Sequence, residues 1–373
     1  MASSSPTPAP TIAVLAGDGI GPDIVRQALK VLEALRGPGF DFSTAHALVG
    51  GAALEATGHP LPPATLDLAL QSQAVLFGAV GAPQYDHLPP ELRPEKAILG
   101  LRRALGLYAS FKAVAISPEL AHLSPLKNER AAGVDLLVVR ELDGDAYTAQ
   151  PKGERTATDG PFPGHAEGYD TMRYAEGEVR RVAHLAFRAA RQRRSRLCSV
   201  DKANVLASSR LWRRVVTAVG TEYPDVALTH LYADNAAMQL LSQPTAFDVL
   251  LTGNLFGDIL SDAAAVLSGS IGLTGSALLG DRHGGLFEAG HGTAMNLVGQ
   301  DRANPLACIR AAGLLLRHAL GRPELANRVE DAVNRVLQAG GRTAEMAGSG
   351  PALGTEAMGD AVVAALHTPP RLS

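Results

Sequence analysis

Short runs of apolar and β-branched residues alternate along this chain with longer segments whose apolar residues recur at helical spacing. The apolar runs have the length of buried strands and cover residues 11–16, 74–77, 135–140, 197–200, 226–231 and 247–252. The helical patterns cover residues 23–35, 179–191, 208–219 and 256–267. Strands that alternate with helices form a parallel sheet with helices on its faces. The sequence therefore predicts an α/β fold with a largely parallel sheet flanked by helices.

The first strand leads into a glycine-rich turn that resembles a dinucleotide-binding loop. The turn reads GDGIGP over residues 17–22. The dinucleotide fingerprint G-x-G-x-x-G requires glycine at position 22, where this chain has Pro22. Proline instead fits the first position of a helix, where its missing N–H costs nothing. We therefore do not expect a true Rossmann fold.

The size and charge of the chain exclude some classes of partner. Its 373 residues, 46% of them apolar, are enough for a sizeable core in one large domain or two smaller ones. A formal net charge of -3 gives no broad attraction to nucleic acid or anionic lipid. The basic run at residues 188–196 contains no aromatic residue and is interpreted as a solvated helix face. No apolar run reaches the roughly 18 to 20 residues that cross a bilayer. The sequence predicts neither a nucleic-acid nor a membrane partner.

Two other features bear on compartment and order. Cys198 and Cys308 are too few for a disulfide framework, which favours two buried thiols in a reducing, cytoplasmic location. Residues 1–10 are mainly Ser, Pro and Ala and lack an apolar signal region, so we expect a disordered tail. Residues 148–178 are rich in Gly, Pro, Thr and charge. We expect that irregular stretch to be functional or covered by a partner.

Two aspartates give the strongest chemical signal from spacing alone. Asp258 and Asp262 are four residues apart, which on a helix places both carboxylates on one face. Like charges so placed repel each other unless a cation lies between them. Hard carboxylate oxygens suit Mg²⁺ or Mn²⁺. Aspartates that merely cap or decorate a helix are the alternative.

The segments around these aspartates resemble a known family. Residues 252–262, TGNLFGDILSD, resemble the metal-binding signature of the isocitrate and isopropylmalate dehydrogenase family, and residues 199–205, SVDKANV, resemble its catalytic-lysine segment. Other matching segments follow in family order at residues 124–127, 139–142, 230–234, 287–288, 291–294 and 303–305. The similarity covers about residues 11–365.

The resemblance implies a two-domain α/β subunit of the isopropylmalate dehydrogenase type. Its first domain would contain residues 11–107 and 265–373 and take the cofactor adenosine, and its second would contain residues 108–264. The activity implied is the NAD-dependent oxidative decarboxylation of a 2-hydroxy dicarboxylic acid with Mg²⁺ or Mn²⁺. The second domain would carry the metal site, the catalytic residues and the contacts of a homodimer.

The resemblance also assigns catalytic and metal-binding roles. Tyr147 matches the general acid of the family and Lys202 its general base. Asp234, Asp258 and Asp262 match its acidic metal ligands. In the family the lysine and the first aspartate reach the site from the second subunit, so the active unit would be a homodimer with shared sites.

Substrate contacts follow from the same comparison. Arg102 and Arg140 match arginines that hold substrate carboxylates through bidentate hydrogen bonds. Ile98 and Leu99 stand where isopropylmalate enzymes present apolar residues to the isopropyl group, whereas isocitrate enzymes have polar groups there. The implied substrate-binding residues are Ile98, Leu99, Arg102, Lys112, Arg140 and Asp234. A 3-alkylmalate, and with it leucine biosynthesis, is therefore favoured.

The cofactor set implied by the family spans both domains. Asn204 matches a residue that contacts the nicotinamide amide, and residues 291–304 match the adenosine-binding region. The implied cofactor-binding residues are Glu95, Asn204, Glu288, His291, Gly292, Thr293, Ala294, Asn296 and Asn304.

The chain departs from the family pattern at three places. Lys112 replaces a substrate-binding arginine, which keeps the charge but loses the planar fork. Residues 141–148 read ELDGDAYT, which places two extra carboxylates near the tyrosine. Asn296 stands where NAD-using members have an aspartate for the adenosine ribose. These changes leave open a dehydrogenase for isocitrate, homoisocitrate, tartrate or another substituted malate. A catalytically silent regulatory subunit is the alternative of another class.

Overall fold

A computed structural model describes residues 9–116 and 118–367, in two compact units. The first unit contains residues 1–107, 116–132 and 265–373, and the second contains residues 108–115 and 133–264. The strands are β1 (Thr11–Gly17), β2 (Ser43–His46), β3 (Ala74–Ala79), β4 (Leu107–Ala115), β5 (Asp135–Glu141), β6 (Gly153–Thr156), β7 (Ala166–Tyr169), β8 (Arg196–Asp201), β9 (Ala227–Tyr232), β10 (Val249–Thr252), β11 (Gly275–Gly280) and β12 (Leu286–Ala289). The helices are α1 (Gly21–Glu33), α2 (Gly51–Thr57), α3 (Pro63–Gln71), α4 (Lys96–Leu105), α5 (Asn128–Ala131), α6 (Glu176–Arg191), α7 (Ala207–Gly220), α8 (Ala233–Ser242), α9 (Asn254–Val266), α10 (Leu306–His318), α11 (Pro323–Gln338), α12 (Ala344–Ala347) and α13 (Thr355–Leu366).

In the first unit the strand order is β2-β1-β3-β12-β11. The pairs β1–β2, β1–β3 and β3–β12 are parallel, whereas β11 and β12 are antiparallel. Helix α10 packs on β11 and β12, and α1 packs on α10 and α13. The apolar face of α1 points inward because Ile24, Ala28, Val31 and Leu32 recur at helical spacing and are all buried.

In the second unit the strand order is β4-β5-β10-β8-β9. Only the β4–β5 pair is antiparallel, and β5, β10, β8 and β9 run parallel to one another. Helices α6 and α7 pack on this sheet and on each other, with Phe187 and Trp212 buried beneath them. The α/β class and the largely parallel sheet predicted from the sequence are confirmed.

Two local expectations were wrong in detail. Residues 116–132 were predicted in the second domain but group with the first unit. The reason is packing, because the turn of 3₁₀ helix at Pro118–Leu123 lies on α11, and a Cβ added to Gly269 would come within 2.5 Å of the Leu123 Cβ. Residues 148–178 are not wholly irregular, because they contain the antiparallel hairpin of β6 and β7.

The basic run at residues 188–196 is not simply a solvated face. Arg193 Nε donates to Asp248 Oδ1 at 2.8 Å, and its Nη2 donates to Asp135 Oδ1 at 2.8 Å. Arg194 Nη2 donates to the Phe247 carbonyl at 2.6 Å. The Asp248 carboxylate is fully buried and needs such donors, because an unpaired buried charge is costly. Part of the run therefore serves the fold of the second unit.

The N-terminal tail, the start of α1, the two cysteines and the helix lengths were also subjects of prediction from the sequence. Residues 1–8 of the expected disordered tail lie outside the described residues, and Pro10 accepts a hydrogen bond from the Ser43 N–H at 2.9 Å. The sequence predicted Pro22 at the first position of α1, but it is the second residue of that helix. Cys198 and Cys308 are both buried and free, and burial raises their pKa values to about 11 and about 12. Across the described ranges, every helix is too short or too polar to span a membrane.

Candidate active site

The parallel strands of the second unit place the candidate residues at one edge. Strands β5, β10 and β8 are neighbours, with Thr252 in register with both Arg140 and Val200. The segments that follow these strands therefore emerge side by side at the carboxyl end of the sheet. Ligand sites in open α/β sheets lie at this end. Arg140, Lys202 and the start of α9 share it.

The two aspartates on α9 are both paired with cationic side chains. Asp258 Oδ1 forms an ion pair with the Arg140 guanidinium, and Asp258 Oδ2 accepts a hydrogen bond from the Tyr147 hydroxyl at 2.5 Å. Asp262 Oδ1 accepts from Lys112 Nζ at 2.7 Å. Both carboxylates are partly exposed, at 41% and 56%. Carboxylate oxygens are donors that suit a hard divalent cation, and here each carboxylate is paired with a basic side chain.

Arg140 is held in place by its neighbours. Its Nε and Nη2 donate to Asn254 Oδ1 at 3.0 and 2.7 Å. The Asn254 Nδ2 donates in turn to the Leu142 carbonyl at 2.9 Å, which ties α9 to the segment after β5. Gly257 is required at this contact, because a Cβ there would lie 2.2 Å from Thr252 Oγ1 and 2.7 Å from the Arg140 Cγ. The guanidinium is thus fixed and faces the Asp258 side of the helix.

Tyr147 lies beside both the Arg140 guanidinium and the Asp258 carboxylate. Its ring is 5.2 Å from the Arg140 guanidinium carbon, a cation–π distance. Partial burial and the hydrogen bond to Asp258 raise the pKa of Tyr147 above its ordinary value. The phenol is therefore protonated at neutral pH, as a proton donor must be.

Lys202 and Asp234 form a second pair. Lys202 Nζ donates to Asp234 Oδ1 at 2.6 Å, and this hydrogen bond lowers the pKa of Asp234. Among the described residues of this one chain, no three His, Cys, Asp or Glu side chains gather closely enough to hold a metal ion. Asp234 is therefore not clustered with Asp258 and Asp262, although the sequence groups all three.

The loop after β8 is fixed by a residue that sequence reasoning missed. Asp201 is buried and accepts from Arg213 Nε at 2.8 Å and from Arg213 Nη2 at 2.9 Å. It also accepts from the Ala203 N–H at 2.9 Å, which shapes the turn that carries Lys202. Asn204, predicted to contact the cofactor, is exposed in this turn. The signal available in the sequence was an aspartate directly before the lysine, at the end of the apolar run at residues 197–200.

In the first unit, predicted substrate and cofactor residues lie together. Arg102, near the end of α4, has its Nη2 3.8 Å from Glu288 Oε1. On the same helix Ile98 is half-buried and Leu99 is 40% exposed, so an apolar surface precedes the arginine. Glu95 lies against Gly81, where an added Cβ would come within 2.5 Å of its Oε1.

The predicted adenosine-binding region begins at a histidine with an unused nitrogen. His291 Nε2 is buried and has no hydrogen-bond partner among the described residues. Burial lowers the pKa of His291, so the ring is neutral near pH 7. The next residues, Gly292, Thr293 and Ala294, approach the first turn of the chain, because the Thr293 carbonyl accepts from the Ile20 N–H at 3.0 Å. An unsatisfied buried ring nitrogen fits a site that a polar ligand completes.

The two predicted asparagines of this region differ. Asn304 is buried and has a structural partner for each side of its amide, since its Nδ2 donates to Glu345 Oε1 at 2.8 Å and its Oδ1 accepts from the Leu306 N–H at 3.0 Å. Asn296 is exposed, and its carbonyl accepts from Gln300 Nε2 at 2.6 Å. The Asn296 amide is open to a ligand, whereas the Asn304 side chain caps α10.

A cleft of about 230 Å³ in the first unit was not anticipated. Its lining includes Asp18, Glu55, Gln84, Tyr85 and Met295. The Asp18 carboxylate accepts from the backbone N–H groups of residues 51, 52 and 81 at 2.7 to 2.9 Å, which ties the turn after β1 to the start of α2 and to the segment after β3. Tyr85 donates to Glu55 Oε1 at 2.5 Å across the cleft. The signal in the sequence was the glycine-containing run at residues 78–81, which spans the end of β3.

Comparisons with known proteins agree over nearly the whole chain. A family model described as isocitrate/isopropylmalate dehydrogenase matches residues 11–362. A protein of Bordetella avium (strain 197N) named 3-isopropylmalate dehydrogenase is 58% identical over 356 residues, which is 95% of this chain and 99% of that protein. A protein of the same name from Burkholderia pseudomallei (strain 1710b) is 57% identical, with the same coverage. The crystal structure of an isocitrate dehydrogenase from Methylococcus capsulatus has a TM-score of 0.82 at 33% identity and covers 96% of this chain and 99% of its own.

Proposed function

Because this chain belongs to the isocitrate/isopropylmalate dehydrogenase family, we propose that it catalyses the NAD-dependent oxidative decarboxylation of 3-isopropylmalate, or a close 3-alkylmalate, to the 2-oxo acid. The relatives that carry the name 3-isopropylmalate dehydrogenase support this substrate and a role in leucine biosynthesis. The observation that carries the proposal is that the Tyr147 hydroxyl and the Arg140 guanidinium both contact the Asp258 carboxylate. It combines a proton donor, a carboxylate-binding cation and a metal-type ligand.

The metal would be held by Asp258 and Asp262 from one chain and Asp234 from a second. These residues fit Mg²⁺ or Mn²⁺ by their oxygen donors and by the spacing of the two aspartates on α9. Such an ion supplies Lewis-acid stabilisation of negative charge on a substrate oxygen. Arg140 and Arg102 bind the substrate carboxylates, and their planar guanidinium groups set the orientation.

The chain itself supplies the proton transfers. Lys202 Nζ, in its neutral form, accepts the proton of the C2 hydroxyl as C2 is oxidised, and Asp234 orients the lysine through the 2.6 Å hydrogen bond. After CO₂ leaves C3, the carbon it occupied needs a proton. The Tyr147 hydroxyl gives that proton, because its raised pKa keeps it protonated until the step occurs.

The cofactor proposed is NAD, which serves as the hydride acceptor. His291, with its unpartnered Nε2, and the exposed amide of Asn296 are the groups best placed to receive the adenosine portion. Asn296 can accept a hydrogen bond from a ribose hydroxyl but provides no positive charge for a 2′-phosphate. The discrimination against NADP should therefore be real but weaker than an aspartate would give.

The active unit proposed is a homodimer. Large apolar side chains are exposed on the two helices that carry the metal-type aspartates, with Met238 and Leu241 on α8 at 68% and 54% and Ile259 on α9 at 61%. Exposed apolar surface of this kind marks an interaction face. A second copy would cover it and bring Lys202 and Asp234 to the other pair of aspartates.

A different substituted malate is the second candidate substrate. Lys112 is a point charge held by Asp262 where the family has an arginine fork. A substrate whose carboxylate needs only one hydrogen bond at that position would suit this residue.

A substrate panel tests the proposed function. The purified protein is supplied with NAD, Mn²⁺ and either 3-isopropylmalate, isocitrate, homoisocitrate, tartrate or malate, and reduced cofactor is measured. We expect the highest kcat/KM with 3-isopropylmalate, and we expect Leu99→Ser to lower that value roughly 10-fold or more with little change for malate. Leu70→Ser, a matched change at another exposed leucine on α3, should have no effect. A preference for isocitrate would reject the substrate assignment.

A further inference from the structure

Asp145 has an unusual backbone conformation, and its charged side chain is buried. Its φ is +72°, in the left-handed region that few non-glycine residues adopt, although aspartate tolerates it better than most. The residue is only 1% exposed. A buried carboxylate must have hydrogen-bond donors, so its partners reveal its role.

The Asp145 Oδ1 accepts from the neighbouring Ala146 N–H at 2.7 Å, whereas Oδ2 faces the start of α9. Asp145 Oδ2 accepts from the Leu255 N–H at 3.0 Å. The Tyr174 hydroxyl lies 3.4 Å from the same oxygen and accepts from the Asn254 N–H at 2.7 Å. The first N–H groups of a helix have no partner within the helix, and a carboxylate beside them also interacts favourably with the helix dipole. Asp145 and Tyr174 together therefore satisfy the first two N–H groups of α9.

The backbone of Asp145 shapes the turn that carries Tyr147. Its carbonyl accepts from the Thr148 N–H at 3.3 Å and from the Ala149 N–H at 3.0 Å, and its N–H donates to the Arg173 carbonyl at 2.9 Å. The carboxylate of Asp145 and the hydroxyl of Tyr147 both reach α9, at Leu255 and at Asp258. Asp145 thus lies two residues before Tyr147 in the chain and also caps α9, the helix that carries Asp258, so it contacts the segments of both partners in the 2.5 Å hydrogen bond between Tyr147 and Asp258.

We propose that Asp145 is a positioning residue that sets the Tyr147 hydroxyl against Asp258 by capping α9. The inference rests on the proposed function, since it assigns Tyr147 the final proton transfer. Loss of the cap would let the first turn of α9 move relative to the tyrosine turn. Residues that orient a metal ligand or an acid typically change activity 10–100-fold when they are replaced.

The variants separate the carboxylate from the backbone. Asp145→Gly removes the cap but suits the positive φ, so a fall in activity cannot come from backbone strain. Asp145→Asn keeps one oxygen that can accept from the Leu255 N–H. Asp143→Asn is the matched control, because Asp143 lies on the same segment but pairs with Arg181 and makes no hydrogen bond to α9 among the described residues.

Steady-state kinetics give the first readout. With Mn²⁺ at a saturating concentration, we expect Asp145→Gly to lower kcat about 10-fold or more with KM changed less than about 2-fold, because proton delivery and not substrate binding is then affected. Asp145→Asn should recover most of kcat, and Asp143→Asn should match the unmodified protein. An unchanged kcat in Asp145→Gly, or an equal fall in Asp143→Asn, would overturn the inference.

Hydrogen exchange gives a readout that does not need activity. The amides of residues 254–258 should exchange faster in Asp145→Gly than in the unmodified protein and Asp143→Asn, and Mn²⁺ affinity should fall in the same variant alone. Unchanged exchange and affinity would overturn the inference. If the unmodified protein turns over no malate, the proposed function fails while these two measurements still decide whether Asp145 positions α9.

Discussion

Replacing the buried Glu141 should change how the free energy of unfolding depends on pH. Glu141 is fully buried at the end of β5, and it accepts from the Asp143 N–H at 2.9 Å and the Gly144 N–H at 2.8 Å. Burial raises its pKa from 4.5 to about 7, in spite of these two donors and of Arg181 nearby. The folded protein therefore holds a proton on Glu141 that the unfolded chain releases.

The size and sign of the effect follow from that shift. The difference between 4.5 and about 7, at about 1.4 kcal/mol per pKa unit, corresponds to about 3 kcal/mol. The folded state binds more protons than the unfolded state within this range, so stability falls as pH rises. This contribution is complete below the unfolded pKa and is lost once pH passes the folded value.

Urea unfolding across this range is the assay. Between about pH 5 and pH 8 the free energy of unfolding of the unmodified protein should fall by about 2 to 3 kcal/mol relative to Glu141→Gln, whose side chain cannot ionise. Glu154→Gln makes the same replacement at an exposed position in β6 and serves as the control. A difference between the unmodified protein and Glu141→Gln that does not change with pH would show that the pKa of Glu141 is not raised by folding.

Four further predictions concern the proposed reaction. Lys202→Met and Tyr147→Phe should each lower kcat by at least about 10² while the protein stays folded by circular dichroism, and near-normal turnover in either would remove that residue from the acid/base roles. Chelation should abolish activity and Mn²⁺ should restore it, with Asp258→Asn weakening Mn²⁺ affinity in calorimetry; full activity in excess chelator would contradict the metal requirement. The kcat/KM with NAD should exceed that with NADP, and Asn296→Asp should widen the ratio, whereas a preference for NADP would reverse the cofactor assignment. Refolding Lys202→Met together with Asp258→Asn should restore about a quarter of the unmodified activity, because half the dimers would be mixed and each would have one intact shared site. No recovery in mixed dimers confirmed by mass spectrometry would show that the sites are not shared.

Much of the fold could be read from local patterns. The runs at residues 135–140 and 247–252 are strands because they are apolar enough to be buried on both faces of a parallel sheet. The spacing of Asp258 and Asp262 correctly placed both on one helix. Each of these features depends on residues close together in the chain, where helical and strand periodicities are visible.

Features that depend on contacts between residues far apart in the chain could not be predicted from the sequence. Arg193 belongs to a basic run, and only the fold shows that Asp248 lies beneath it. Asn304 matches a cofactor-binding position, yet Glu345, which is far along the chain, takes its amide N–H. Asp145 stood out as an extra carboxylate, but its role as a cap requires α9 beside it. Tertiary contacts, which no local pattern encodes, decide these roles.

The reaction products distinguish an oxidative decarboxylation from an oxidation alone. The unmodified protein is incubated with NAD, Mn²⁺ and 3-isopropylmalate labelled at the carboxylate on C3, and reduced cofactor and labelled CO₂ are measured in the same sample. Both should form at the same rate and in equal amounts, since oxidation at C2 is followed by loss of that carboxylate. Reduced cofactor without labelled CO₂, or no turnover of this substrate in the metal-loaded protein, would contradict it.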